Sequence, residues 1–435
     1  MRATADGHQL ERLNRPKTRG VVLDLIRAAR TISRVELAAG SGLTAPTITQ
    51  VVRGLIDDGL VVEAGRGEST GGKPRTLLQL NAAARYSVGV QLERYTSVIV
   101  IVDLAGRPVA RASFPGAGQA APDETLRLVA EHVDTLLTTA GVARSKVLGV
   151  GLVSHGPQDR VGGTLLAPQT APGWHGYPVV RRLAEFVRLP VLLDNDATAA
   201  AVGEFWIGGV DPASTYGCIY LGGGFGGGVV VAGEVYRGSS SNTMEVGHIT
   251  VAADGAECPC GNRGCLEIVA GPWKVISEAW ASPGLAARLG LDRDGADLIA
   301  DFALIAGAAM TGDPTARALI EKSARYVGYA AVTLTNLFDL DRIVLAGPSF
   351  TPAGSIYQSM VQAVLDRATF ARAAHRVQVA LSASGSDAAA VGGAALVLRG
   401  ELTPRHLRRP DGGSLGYTYS GHLPADRTTV GNRSA

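Results

Sequence analysis

Residues 190–204 read PVLLDNDATAAAVGE. The apolar run Val191–Leu193 ends in the polar triplet Asp194-Asn195-Asp196, and an alanine-rich stretch follows with no turn residue between. A short apolar run predicts a strand, and alanine, the strongest helix former, predicts a helix through ATAAAVGEFWIGG. The same alternation continues outward. YSVGVQLERYTSVIVIVDLAGRPVARASF, from Tyr86, reads as successive strands. DETLRLVAEHVDTLLTTAG reads as a helix and VLGVGLVSHGP as a strand entering a Gly-Pro turn. Leu183–Val187 is helical, and YGCIYLGGGFGGGVVVAGEVY is two strands around a glycine loop. A long helix over 315–338, the strand DRIVLAGP and the late helix AAAVGGAALVLRG complete the series. Strands alternating with helices mean α/β layers. From 402 to 435 the chain turns to Pro, Gly, Arg and Ser and reads as a weakly ordered tail.

The first 82 residues have a different texture. Val22, Leu23, Leu25 and Ile26 recur at helical spacing within RGVVLDLIRAAR. Ser33 is placed to cap a second helix that stops at glycine. Thr44 is placed to cap a third, with Pro46 in its first turn and Ile48, Val51, Val52, Leu55 and Ile56 as its inner face. LVVEAG and RTLLQLN read as strands around the loop RGESTGGKP. Three short helices and a hairpin give the order of a winged helix-turn-helix. A recognition helix in a major groove presents its outer face to the bases, here Thr47, Gln50 and Arg53. The wing supplies Arg66, Lys73 and Arg75 for phosphates. The alternative is a small packing domain with no nucleic-acid partner.

Composition supports both parts. Of 435 residues 46% are hydrophobic and 18% charged, which excludes a disordered chain and a coiled coil. The 5% aromatic content means cores of Ala, Val, Leu and Ile. No apolar run is long enough to span a bilayer and none at the start resembles a signal peptide, so the expected location is the cytoplasm, away from any membrane. Net charge is +2, unevenly spread: residues 1–80 hold 12 Lys/Arg against 8 Asp/Glu, the remainder 29 against 31. The basic end suits a polyanion.

Four constellations carry chemistry. Cys258, Cys260 and Cys265 fall within eight residues, ten after His248. Three thiolates and an imidazole make a closed tetrahedral Zn²⁺ site of the structural kind. A disulfide or unmetallated thiols are the alternatives. Asp196, after a strand end, is placed either as a proton acceptor or as the cap of the next helix. The loop GGGFGGG, 222–228, suits an anion, a sugar or a tight hairpin. Glu245 and His248, with Glu267 beyond the cysteines, put polar groups beside the metal site, where the second ring nitrogen of His248 is left for a ligand.

In this order the motifs resemble the ROK family of repressors, open reading frames and sugar kinases. The resemblance covers about 20–400, and a module ahead of the body is similar to its repressor branch. It rests on LDNDATAAAVGE, LGGGFGGGVVVAGEVYRG, EVGH with CPCGNRGCLE, VSHGPQD, APGWHGYP and NLFDLDRIVLAGP. It implies two actin/hexokinase-like (ribonuclease H-like) α/β lobes around a cleft. Asp196 takes the kinases' catalytic-base position, and Gly156, His175, Asn195, Asp196, Glu245, His248 and Glu267 the sugar contacts. The departures are all on the nucleotide side. Where the kinases carry Asp-x-Gly-Gly-Thr, this chain has Gln91-Leu92-Glu93-Arg94-Tyr95. Gly223 replaces a threonine, and Ala346-Gly347-Pro348 a glycine turn. Phosphoryl transfer depends on positioned phosphates and Mg²⁺. The expectation is therefore a non-enzymatic, sugar-responsive DNA-binding regulator, acting as a repressor. Its domains are a winged helix at 1–82, a body at 83–401 with a zinc subregion at 245–267, and a tail at 402–435. The resemblance implies a homodimer or homotetramer, an operator in double-stranded DNA, and a sugar or sugar phosphate effector. The rival is an active ATP-dependent hexose or N-acetylhexosamine kinase that carries a DNA-binding domain.

Overall fold

The computed structural model describes residues 18–67, 75–118, 120–166, 173–207, 214–231, 233–293, 295 and 297–402. The tail from 403 lies outside them. The N-terminal module begins with α1 (18–29), which buries Val22, Leu23 and Ile26. The two-residue strand β1 (Ile32–Ser33) leads into α2 (Arg34–Ser41). Ser33 caps it reciprocally: its Oγ accepts from the Glu36 N–H, and Glu36 accepts from the Ser33 N–H at 2.8 Å. Gly42, at φ 68°, ends it in the left-handed region that favours glycine. In α3 (Ala45–Asp57) the inner face is Ile48, Val52 and Leu55. Thr44 precedes it, as the sequence suggests, but makes no capping bond: its Oγ1 lies 2.9 Å from Thr47 Oγ1. β2 (Val61–Arg66) and β3 (Thr76–Leu80) pair antiparallel, and β1 adds to β3, giving the order β1-β3-β2. The sequence reading lacked β1, which is too short to leave a periodic pattern.

The body holds two five-stranded sheets. In the first, β4 (Tyr86–Gln91), β5 (Thr96–Asp103) and β6 (Pro108–Pro115) form an antiparallel meander. After α4 (Pro122–Thr139), β7 (Val147–Ser154) pairs parallel with β4. The short pair β8 (Gln158–Asp159) and β9 (Thr164–Leu165) and the helix α5 (Val179–Val187) precede β10 (Val191–Asn195), which is parallel to β7. The order is β10-β7-β4-β5-β6. α6 (Asp196–Ile207) then leads into the second sheet. There β11 (Tyr216–Leu221), β12 (Phe225–Val231) and β13 (Glu234–Val235) are antiparallel neighbours. The helices α7 (Leu266–Ala270), α8 (Pro272–Ala281), α9 (Leu285–Leu289), α10 (Leu298–Met310) and α11 (Pro314–Phe338) follow. β14 (Arg342–Ala346), α12 (Gly354–Ala368) and β15 (Gln378–Leu381) complete it, in the order β13-β12-β11-β14-β15.

The last helix, α13 (Ala388–Leu402), returns onto β4, β7 and α6. A Cβ on Gly392 would collide with the Ala199 carbonyl, and one on Gly89 with the Ala390 carbonyl. The alanine and glycine content of α6 and α13 therefore has a packing cause: the backbones approach too closely for larger side chains. α6 also rests on β12, where a Cβ on Gly226 would meet the Ala197 methyl at 2.7 Å. It is thus held between the two sheets and is buried over Asp196–Trp206.

Candidate functional site

The site starts where β10 becomes α6. Asp194, buried, is gripped by both terminal nitrogens of Arg237 at 3.0 and 2.7 Å. The Gln158 amide donates to the carbonyls of Ser154 at 2.6 Å and Asp194 at 3.1 Å, which ties the ends of the parallel neighbours β7 and β10. Asn195 Oδ1 accepts from the Thr198 N–H at 3.0 Å. The helix cap is therefore Asn195, not Asp196. This corrects the capping alternative, because the cap must precede the first helical residue and Asp196 is that residue.

Asp196 is released from capping. Its Oδ1 accepts from the Ala197 N–H at 2.8 Å, and the side chain is 6% exposed. Burial, reinforced by the charge of Glu93 and opposed by His155, pushes its carboxyl up to about 7. A carboxyl poised there exchanges protons readily at neutral pH. Around it, polar atoms converge on Gly156: a Cβ there would lie 3.5 Å from Asn195 Nδ2 and from Glu245 Oε1, and 3.7 Å from Asn242 Oδ1. Burial raises the Glu245 carboxyl, against the pull of His248 and His155. His155 escaped the sequence reading, as did Arg237 and Asn242, single polar residues in loops that leave no spacing signal, and Tyr220, which reads as an ordinary buried residue of β11. Burial lowers the His155 imidazole, against Asp196 and Glu245.

Glu267, at the start of α7, accepts from the Phe225 N–H at 2.7 Å, and burial holds its carboxyl up at about 7. It touches both glycine segments, since Cβ atoms on Gly224 and Gly247 would lie 3.0 and 3.2 Å from its Oε2. The structure thus joins Gly156, Asn195, Asp196 and Glu245 on one wall and seats Glu267 beneath the glycine hairpin. His175 is exposed and its Nδ1 lies 2.6 Å from the Leu166 carbonyl. Among the described residues no hydrogen bond joins it to that wall, and its ring nitrogen is already engaged. Trp174 beside it is fully buried, edge-on to Tyr177.

His248, Cys258, Cys260 and Cys265 come together with all ligand atoms within 4.8 Å of one another. The four cysteines of the chain are free thiols, which removes the disulfide alternative. Cys258 Sγ lies 3.7 Å from His248 Nδ1, and Cys260 Sγ 3.7 Å from Cys265 Sγ. A tetrahedron with metal–sulfur bonds of ~2.3 Å has edges of ~3.8 Å, so the donor set fits a zinc ion in type and spacing. Nδ1 faces the thiols, and Nε2 is the nitrogen left over.

On the opposite side of Asp196 the glycine hairpin meets β4. Gln91 donates to Tyr220 Oη at 2.7 Å and to Glu93 Oε1 at 3.3 Å. A Cβ on Gly222 would lie 3.4 Å from Glu93 Oε1. The Glu93 carboxyl, raised by burial against the hydrogen bonds of Gln91 and the Arg94 backbone, therefore rests against the glycine loop. The Gly222 carbonyl accepts from Ser349 Oγ at 2.8 Å, and Gly347, at φ 110°, lies so close to Leu221 that a Cβ would strike its carbonyl. In the N-terminal module Gln50 and Arg53 are exposed on α3, Thr47 is half-buried, and Arg66 and Arg75 are exposed where β2 and β3 meet their connecting loop. Lys73 lies outside the described residues.

Residues 87–400 match the ROK family. The chain belongs to the ROK family. A glucokinase of Halalkalibacterium halodurans is 30% identical over 320 residues, 73% of this chain and 96% of that one. A xylose repressor of Caldicellulosiruptor bescii is 26% identical over 386 residues, 88% of this chain and 96% of that one. A solved ROK family transcriptional regulator, a homologue of the Escherichia coli MLC protein, has a TM-score of 0.69 at 24% identity and covers 89% of this chain and 96% of its own. ROK relatives thus include kinases and repressors, and the two lobes are the actin/hexokinase-like body expected of them. The repressor alignment extends further along the chain than the glucokinase alignment does. No helix among the described residues is long and apolar enough to cross a membrane.

Proposed function

We propose that this ROK protein is a sugar-responsive transcriptional repressor. Its N-terminal module is a winged helix-turn-helix that binds operator DNA through Thr47, Gln50 and Arg53 on α3 and through Arg66, Lys73 and Arg75 on the wing. Its body binds a sugar or sugar phosphate between Gly156, Asn195, Asp196, Glu245, His248 and Glu267. A structural zinc on His248, Cys258, Cys260 and Cys265 holds that wall and leaves His248 Nε2 for the ligand. In this reading Asp196 anchors a hydroxyl and transfers no phosphoryl group. Two copies present two modules to a two-fold operator, and His175 is the remaining proposed sugar contact.

The observation that carries the reading is the Glu93 carboxyl against Gly222, with Gln91 tied to Tyr220 beside it. A triphosphate entering there meets the Glu93 carboxyl, which burial raises against the hydrogen bonds of Gln91 and the Arg94 backbone, where it needs backbone N–H groups and Mg²⁺. The rival kinase reading draws on the glucokinase relative and on Asp196, whose carboxyl is poised as a base.

Two measurements separate the readings. Thermal-shift screening of D-glucose, D-xylose and N-acetyl-D-glucosamine, with and without 6-phosphate where it exists, is expected to yield one stabilising ligand. A coupled ADP-release assay with that ligand is expected to show no turnover; robust turnover abolished by Asp196→Asn establishes the kinase instead. DNA binding is tested on a site selected from a random duplex library. Arg66→Ala or Arg75→Ala is expected to weaken binding to all sequences and to reduce the slope of log K against log salt by about one. Unchanged affinity at matched salt removes the wing from the interface.

A further inference from the structure

We propose that α6 is the rod that couples the cleft to the N-terminal module, and that Arg27 of α1 is the positioning residue that clasps its far end. The proposal rests on the sugar-sensor reading above and adds its route of transmission. The twelve residues of α6 span about 18 Å. At the cleft end stand Asn195, its cap, and Asp196, its first residue. At the other end Arg27 Nη1 donates to the Trp206 carbonyl at 2.5 Å and reaches the Phe205 carbonyl at 3.5 Å. The same guanidinium lies over the Trp206 ring, 4.4 Å from its centroid, and 5.3 Å from that of Phe205.

The chemistry fits a directional clasp. The last carbonyls of a helix lack intrahelical partners and carry its partial negative charge, so a cation there is doubly favoured. The Arg27 side chain is 6% exposed, so water does not compete for these bonds, and Asp24 Oδ1 at 3.3 Å balances its charge. Apolar packing makes the same connection independently. Val22, Leu23 and Ile26 of α1 belong to one continuous buried cluster with Ala197, Phe205 and Trp206, whereas the cores on the outer sides of the two sheets form separate clusters. Two residues before Trp206, Glu204 accepts from Ser382 Oγ and from the Ala383 N–H at 3.3 Å, which ties this end of α6 to the turn before α13. α6 is buried along its length and packed backbone to backbone, so it moves as a unit. A ligand that draws on Asn195 and Asp196 displaces Trp206, and Arg27 passes that displacement to α1. The sugar changes DNA affinity only to the extent that it binds one of the two arrangements better than the other.

The experiment uses the full chain, the sugar found by thermal shift among D-glucose, D-xylose and N-acetyl-D-glucosamine, and the selected duplex. In the wild type the sugar is expected to lower DNA affinity about tenfold and to change amide hydrogen exchange over 18–57. Arg27→Met keeps the apolar stem and removes the donors. It is expected to bind the sugar, by calorimetry, within about twofold of wild type while the ratio of DNA affinities with and without sugar falls to near one. Arg27→Lys, which restores a cation at the helix end, is expected to give an intermediate ratio. A wild-type ratio in Arg27→Met overturns the proposal. Should Arg27→Met fail to fold, as judged by circular dichroism, the Arg27→Lys ratio and the wild-type exchange data decide: a sugar-induced change confined to the body overturns it. A wild type that binds none of the sugars fails at the calorimetry step and overturns the sensor reading first; sugar binding with no change in α1 overturns the clasp alone.

Discussion

The two walls that meet at Asp196 are built on opposite principles. On one wall, polar groups gather around a bare glycine: Asn195, Glu245 and Asn242 would be the nearest neighbours of a Cβ on Gly156. On the other, polar groups consume one another: Gln91 bonds Tyr220 and Glu93, and Glu93 presses on Gly222. On the first wall Asn242 is held by Gln158 and Asn195 by Thr198, which fixes them and leaves Glu245 beside a bare glycine; on the second the bonds run across the wall itself. The comparison teaches that, in the proposed reading, a few side chains at the nucleotide edge are what separate sugar recognition from phosphoryl transfer.

The largest expected effect comes from removing the clamp behind the converging wall. Cys260→Ser is expected to abolish stoichiometric zinc by elemental analysis and to lower the melting temperature. Sugar affinity is expected to fall at least ~100-fold, because His248 and Glu245 lose their fixed positions. Unaltered zinc content means that the ligand set is wrong. Next is Asp196→Asn. Loss of a charged acceptor is worth about 1.5–3 kcal/mol, so calorimetry is expected to show a ten- to hundredfold weaker sugar with zinc retained. The same variant relieves a buried carboxyl, so its melting temperature in the absence of sugar is expected to hold or rise.

Glu93→Gln tests the self-satisfied wall. It is expected to leave sugar affinity within about threefold and to leave ADP release undetectable, because Gln91 still stands where the kinases have an acid. Turnover from this one change would break the comparison. The smallest effect is a pH dependence. Asp196 is held at about 7, so its carboxylate form increases from pH 6 to pH 8. A sugar hydroxyl donates to that form, so sugar affinity is expected to rise severalfold over this window and Asp196→Asn to flatten the profile. For the ligand-free fold the sign is opposite. The native state holds this proton between about pH 4 and 7 while the unfolded chain has lost it, so the contribution of Asp196 to stability falls as pH rises across that range. Urea denaturation at a series of pH values, with Asp196→Asn as reference, isolates the term.

Much of this was legible without coordinates where the signal is local. Ser33 and Glu36 form their reciprocal cap because they stand three residues apart. Cys258, Cys260 and Cys265 meet because tight turns within eight residues leave the thiols little room to separate. The helix after Asp194-Asn195-Asp196 follows from its alanines, but the choice between capping and proton acceptance at Asp196 stays open in the sequence, because all three residues are capping types and only the helix start chooses between them. The missing signal is always between distant segments. Glu93 reaches Gly222, and Arg27 reaches Trp206, across stretches that carry no periodic trace of either contact.

The amino-acid sequence by itself determined the alternation of strands and helices, the small basic module ahead of it, and a thiol-rich zinc-type cluster beside a histidine. Each rests on spacing, which the covalent chain enforces. The tertiary structure alone decided that Asn195 caps and frees Asp196, that the Glu93 carboxyl lies beside Gly222 of the glycine loop, and that one buried helix runs from Asn195 to Arg27. Those depend on which backbones can approach, and close packing of alanine and glycine, not sequence separation, sets that distance.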